Sequence, residues 1–162
     1  MAMRELRRQN RAITEAEARE ILTRADDGVL ATVSEDGWPY AVPVNHVLIG
    51  DALYIHCALD GHKIANIAHD ERVSYCAIAS AQVVPEMLST LYESAIVFGR
   101  AAMVTDKDEK CHVLKLLTER FCGQSEATDR QFEEHMKKYR DGDGTGVIRI
   151  AIERITGKAH RE

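Results

Sequence analysis

The chain is short of paired cysteines. Cys57, Cys76, Cys111 and Cys122 form no C-x-x-C, and Cys57 and Cys76 sit in apolar strand-like segments. That excludes a sequence-local zinc or dithiol motif and fits reduced thiols acting as small hydrophobes. No run approaches the ~20 apolar residues of a membrane-crossing helix. The opening, "MAMRELRRQNRAI", lacks the apolar stretch of a secretory signal. Positive charge is not in excess: 21 Lys and Arg stand against 26 Asp and Glu, for a net charge of −5 at pH 7. A nucleic-acid binder gathers positive charge on one face, so that class is not expected. There is no internal repeat and no low-complexity tract. These absences lead to the expectation of a cytoplasmic protein with neither a membrane nor a nucleic-acid partner. The basic N-terminal stretch, with Arg4, Arg7, Arg8 and Arg11, reads as a solvated or partner-packed arm.

What remains is enough for one domain. A chain of 162 residues buries a proper core without disulfides or metal. The expected division of 1–162 is an arm and helix (1–27), barrel strands (28–104), a helical insertion (105–140) and a closing strand (146–158). "ITEAEAREILTRA" carries a capping box, with Thr14 as N-cap and Glu17 three residues on. Ala18, Ile21, Leu22 and Ala25 then share one helical face.

Six strands follow from the pattern. "GVLATVS" alternates up to an "EDG" turn, and "WPYAVPVNHVLI" runs to "GD". "ALYIHCA", "ERVSYCAIA", "YESAIVFGRAAMVT" and "GTGVIRIAIERITGK" supply the other four, with Gly99 marking a bulge or bend. Antiparallel strands on short turns predict a closed or nearly closed barrel, since closure removes exposed edges. The insertion reads as two amphipathic helices. One places Val113, Leu114, Leu117 and Phe121 on a stripe, the other Phe132, Met136 and Tyr139. Both stripes are expected to face the core.

Several chemical motifs fail on spacing. Asp141, Asp143, Thr145 and Gly146 mimic the start of a calcium loop, but its twelfth place holds Ile152 where a bidentate glutamate is needed. His46, His56, Cys57, His62 and His69 match no zinc pattern. No G-x-S-x-G elbow is present. No metal site is expected.

Two stretches break local rules. Pro39 and Pro43 lie four apart inside a good strand. Proline removes a ladder donor, so the strand is at an edge or bulged. Either it is an edge protected from aggregation, or its backbone near Val44 and Asn45 is free to meet a planar ligand. In "YIHCALDGHKIANI" a strand ends at a turn, and His62 and Lys63 open a short helix. Cations are the wrong sign at a helix start, and Asp70 and Glu71 are the wrong sign at its end. Either the side chains reach water at a cost of ~0.3–1 kcal/mol, or a bound anion repairs the first mismatch. Phosphate, accepting helix-start N–H groups and pairing with Lys63 and His62, is the natural candidate. Tyr54, His56 and Ala58 share one strand face, and Leu53, Ile55 and Cys57 the other.

"GVLATVSEDGWPYAVPVN", "LYIHCALDGHKIANI", "VVPE" and "YESAIVFGRA" together resemble the pyridoxamine 5′-phosphate oxidase-like family, and within it the nitroimidazole-resistance branch. The resemblance implies a mainly β fold with flanking helices, a six-stranded antiparallel split barrel of Greek-key type, binding FMN at a homodimer interface. It implies that Pro43, Val44 and Asn45 border the flavin ring. His56, Gly61, His62 and Lys63 would lie along the ribityl phosphate, and Tyr92, Glu93 and Ser94 would approach from the second subunit. The tail "RITGKAHRE" does not supply the basic substrate signature of true pyridoxamine-phosphate oxidases, so vitamin B6 synthesis is not expected. The implied activity is an FMN-dependent reductase with a nicotinamide electron donor and a small acceptor such as a nitroaromatic. His56 is the first candidate for a proton donor. A non-catalytic flavin sensor or carrier, and a haem-binding barrel, are the alternatives.

Overall fold

A computed structural model describes residues 5–139 and 144–161. Arg4, Asp141 and Asp143 lie outside the described residues, as does the Tyr139 side chain.

Eight antiparallel strands form one curled sheet. β1 is Ala12–Ile13, β2 Asp27–Val33, β3 Pro39–Asn45, β4 Val47–Ile49, β5 Ala52–Cys57, β6 Arg72–Val84, β7 Ser89–Met103 and β8 Gly146–His160. The order is β3-β2-β6-β7-β8-β5-β4, with β1 also paired to β8. β8, last in the chain, lies between β7 and β5, so the strands interlock instead of meandering. β3 and β5 approach each other across the gap. This is the expected split barrel with two strands more than the six expected. One of these is the two-residue β1. The other arises because "WPYAVPVNHVLI" breaks at His46 into β3 and β4.

The break has a physical cause. His46 is fully buried, and its Nε2–H donates to the Leu22 carbonyl at 2.7 Å. Turning this ring inward takes the residue out of the ladder. Gly99 is the expected irregularity: the β7–β8 register slips between Phe98 and Gly99. A Cβ there would meet the Ala151 carbonyl oxygen at 2.2 Å, so only glycine permits this close approach.

The first core cluster fills the barrel. Leu30, Leu53, Ile55, Tyr75, Val97, Ile148 and Ile150 line it, and helix α1 (Glu15–Arg24) closes one opening with Ala18, Ile21 and Leu22. The capping box at its start is formed. Thr14 Oγ1 accepts the Glu17 N–H at 3.2 Å, and Glu17 Oε2 accepts the Thr14 N–H at 2.9 Å. Thr14→Ala is expected to lower stability by about 1 kcal/mol in urea unfolding, with no effect on ligand binding.

The insertion consists of α3 (Lys107–Cys122) and α4 (Glu126–Tyr139). Val113 and Leu117 join Val47, Ala52, Tyr54 and Val147 in a second cluster on the outer side of β5. β5 is therefore covered on both faces. Leu53, Ile55 and Cys57 point into the barrel and Tyr54 points under α3, which is the alternation the sequence predicts. Among the described residues no helix is long and apolar enough to cross a membrane.

Candidate functional site

Helix α2 (His62–His69) follows β5 after the turn at residues 58–61. Gly61 is its N-cap, with φ +127°, a conformation that L side chains rarely adopt. No side chain caps this helix start. The Gly61 N–H donates to Asp60 Oδ1 at 2.7 Å, while the Gly61 carbonyl accepts from the N–H groups of Ile64 and Ala65. The N–H groups of His62 and Lys63 are left as the orphan donors of the first turn.

The two cations differ in their surroundings. The His62 ring stacks on Tyr40 of β3, with centroids 4.2 Å apart. Tyr40 was not singled out from the sequence, yet it positions this ring. Lys63 is half-buried and has no ion-pair partner among the described residues. Its charge is felt by Cys57: burial pushes that thiol up, and Lys63 acts against the shift. At the other end of α2 the mismatch is repaired within the chain. Asp70 accepts from Arg72 Nη2 at 2.6 Å, which holds its carboxyl well below the usual range. Glu71 pairs with Arg100. At the N-terminal end the Asp60 carboxylate meets the Gly61 N–H, while Lys63 keeps no ion-pair partner among the described residues.

β3 is an edge strand, paired only with β2. Pro39 and Pro43 lie on it opposite Val33 and Val29. The Tyr75 hydroxyl oxygen lies 3.2 Å from the Val44 carbonyl oxygen and 2.7 Å from His46 Nδ1. Since His46 Nε2–H donates to Leu22, the neutral ring accepts at Nδ1 and the single hydroxyl proton goes there. Burial moves the His46 pKa down and the Tyr75 pKa up. His46 is thus a buried structural histidine under β3. Among the described residues no group of three or more His, Cys, Asp or Glu side chains is placed to hold a metal ion.

Asn45 and His56 come together on one cavity of about 390 Å³, overhung by α3 and α4. His56 has no hydrogen-bond partner among the described residues, and Asn45 donates one amide proton to the Asp26 carbonyl at 3.1 Å. Phe121 and Phe132 also face this space. The expectation that both helical stripes face the core therefore holds for Val113, Leu117 and Met136, which are buried, and is corrected for the two phenylalanines.

Tyr92, Glu93 and Ser94 sit on β7, opposite His160, Ala159 and Lys158 of β8. Their contacts with Arg24, Arg161 and Arg11 lie away from the α2 turn. Glu93 accepts from Arg24 and Arg161, each at 2.8 Å, and both pairs lower its pKa. The Arg11 guanidinium lies 5.9 Å from the Tyr92 ring centre, so this part of the basic arm is packed.

The model of one protein family, described as pyridoxamine 5′-phosphate oxidase, matches residues 14–159. No curated protein matches the chain significantly. Solved structures match over most of its length. A candidate 5-nitroimidazole antibiotic resistance protein from Bacteroides thetaiotaomicron is 23% identical, with a TM-score of 0.71, over 91% of this chain and 85% of that one. A FAD-binding protein from Mesorhizobium loti is 23% identical, with a TM-score of 0.67, over 93% and 98%. A FAD- and haem-binding protein from Mycobacterium smegmatis is 20% identical, with a TM-score of 0.70, over 92% and 72%. At these identities the likeness is one of fold.

Proposed function

The chain belongs to the pyridoxamine 5′-phosphate oxidase family, and from that premise we propose that it is an FMN-binding oxidoreductase that reduces a small nitroaromatic acceptor. The observation that carries this reading is Lys63. It is a half-buried cation at an uncapped helix start, beside two free N–H groups, with no counter-ion among the described residues. A phosphate monoester supplies the missing negative charge.

The residues fit the rest of the cofactor. The N–H groups of His62 and Lys63 and the Lys63 ammonium would hold the phosphate, and Gly61 would keep the approach open. Pro43, Val44 and the Asn45 amide, on the free edge of β3, would border the ring. Flavin supplies the two-electron relay between donor and acceptor. The balanced reaction is R–NO₂ + NAD(P)H + H⁺ → R–NO + NAD(P)⁺ + H₂O. His56, unpartnered at the cavity, delivers a proton to the departing oxygen.

A second copy of the chain completes the site. The outer face of the sheet carries Val29, Cys76 and Ile96 in one row across β2, β6 and β7. Val29, Ile96 and nearby Ile78 are exposed, and among the described residues no helix covers them. A contiguous apolar face of this kind favours association. In the dimer, Tyr92, Glu93 and Ser94 of one copy approach the flavin of the other.

The test is direct. Purified protein is expected to show flavin absorption, to release a molecule with the mass of FMN, and to scatter light as about twice the chain mass of 18.1 kDa. Anaerobic NAD(P)H oxidation with 2-methyl-5-nitroimidazole is expected to consume donor in proportion to acceptor. A flavin that stays oxidised under excess donor would leave a carrier or sensor. A Soret band in place of the flavin spectrum would assign haem, and a released mass of FAD would correct the cofactor.

A further inference from the structure

The cavity under α3 and α4 has a lining that suits a second molecule. At about 390 Å³ it falls in the range of small-molecule sites, roughly 300–1,000 Å³. Its apolar wall is built from Phe121, Phe132, Leu117 and the Met136 side chain, all of which favour a flat, weakly polar ring. Among the described residues no Asp, Glu, Lys or Arg lines it. A strongly ionic ligand would find no carboxylate, ammonium or guanidinium counter-charge among those residues.

Of its polar lining residues, Thr118, Thr128 and His135 hydrogen-bond within the insertion, which leaves Asn45, His56, Gln131 and Thr145. The His56 ring and the Gln131 side chain have no hydrogen-bond partner among the described residues. Asn45 has committed one amide proton to the Asp26 carbonyl and keeps the other. All three are able to donate, so the matching ligand carries uncharged oxygen acceptors outside its ring.

We propose that this cavity seats the electron acceptor, a small planar aromatic bearing nitro or quinone-type oxygens. The role as acceptor rests on the flavin reading above, because Asn45 and His56 belong to both. Occupancy of the cavity does not.

The experiment is an NMR titration of full-length protein labelled at its methionine methyl groups, with 2-methyl-5-nitroimidazole as probe. It is run on flavin-free and on FMN-loaded protein. The Met136 methyl is expected to shift saturably in both. Gln131→Trp, which fills the cavity from an exposed position on α4, is expected to weaken binding roughly tenfold or more. Glu134→Trp, an exposed α4 position that does not line the cavity, is expected to leave it unchanged. No saturable shift at Met136 in either form overturns the proposal, as does unchanged binding to Gln131→Trp. Displacement of FMN by the probe overturns it too, since the cavity would then hold the flavin ring. If Gln131→Trp misfolds, alkylation of Cys122 on the cavity wall of the unmodified protein decides. Protection by the probe supports the seat, and no protection removes it. Probe binding without any FMN binding leaves the seat standing and removes its role in flavin chemistry.

Discussion

Lys63→Glu is expected to weaken FMN binding about a hundredfold while leaving the fold as stable as before, or slightly more so. The two halves of this result come from one electrostatic field. The start of α2 carries partial positive charge, so a glutamate in its first turn stabilises the helix by ~0.3–1 kcal/mol and a lysine opposes it by a similar amount. A protein without a ligand at this place gains from the exchange. A protein that holds a phosphate there loses a charge-assisted hydrogen bond, worth ~1.5–3 kcal/mol, and acquires a like-charge clash. A hundredfold change in affinity is about 2.7 kcal/mol. Lys63→Ala, without the clash, is expected to lose about tenfold. The measurement is flavin fluorescence titration beside thermal unfolding of the same variants. Equal stability with retained affinity would place the phosphate elsewhere and remove Lys63 from the site.

The mismatch at α2 was visible in the sequence because the macrodipole rule is local: it needs only the residue types within one turn of a helix end. Its resolution was not local. Glu71 finds Arg100 only because β7 returns alongside the end of α2, a relation set by the sheet. Asp70 finds Arg72 two residues on, within reach of inspection once the chain is known to turn there. Of two apparent violations, the fold removed one and left the other, and that contrast gives Lys63 its weight.

Elements governed by short-range chemistry were legible in the same way. The Thr14–Glu17 box, the alternation of β5, the edge position of a strand with two prolines and the slip at Gly99 each follow from geometry within a few residues. What covers a face is a different matter. Helical periodicity places Phe121 and Phe132 on apolar stripes but does not say whether the stripe meets core or an open cavity. That depends on how far the insertion overhangs β5 and the end of β3. The break at His46 was hidden for a related reason. Histidine carries no strong strand or turn preference, and its inward turn depends on Leu22 and Tyr75, 24 and 29 residues away.

Tyr75→Ala is expected to cost about 4–5 kcal/mol, the largest stability loss of any change considered. Tyr75 is the bulkiest fully buried side chain. It spans the barrel interior beneath Gly28, where an added Cβ would lie 2.6 Å from the ring. Truncation therefore opens a cavity between backbones that cannot collapse into it. Tyr75→Phe keeps the volume and removes only the hydroxyl, leaving His46 Nδ1 without its donor, and is expected to cost ~1–3 kcal/mol. Urea unfolding of the pair separates packing from hydrogen bonding.

The same network sets a pH dependence. Burial holds the His46 pKa below its ordinary value. Arg120 acts in the same direction, and the Leu22 hydrogen bond, Asp27 and Asp26 act against it. The unfolded chain, with a histidine pKa of about 6.5, binds the proton first. Stability is then complete above about pH 6.5 and falls as pH drops through it, at up to ~1.4 kcal/mol per unit for one proton. A protonated ring has an alternative arrangement, Nδ1–H donating to Tyr75 while the hydroxyl turns to the Val44 carbonyl at 3.2 Å. Burial is the largest cause of the downward shift and outweighs the Leu22 hydrogen bond and the two aspartates. His46→Gln is expected to be less stable at pH 7.5 and to lose less than the native protein between pH 7 and 5. An unchanged slope in that variant would assign the acid sensitivity to other groups.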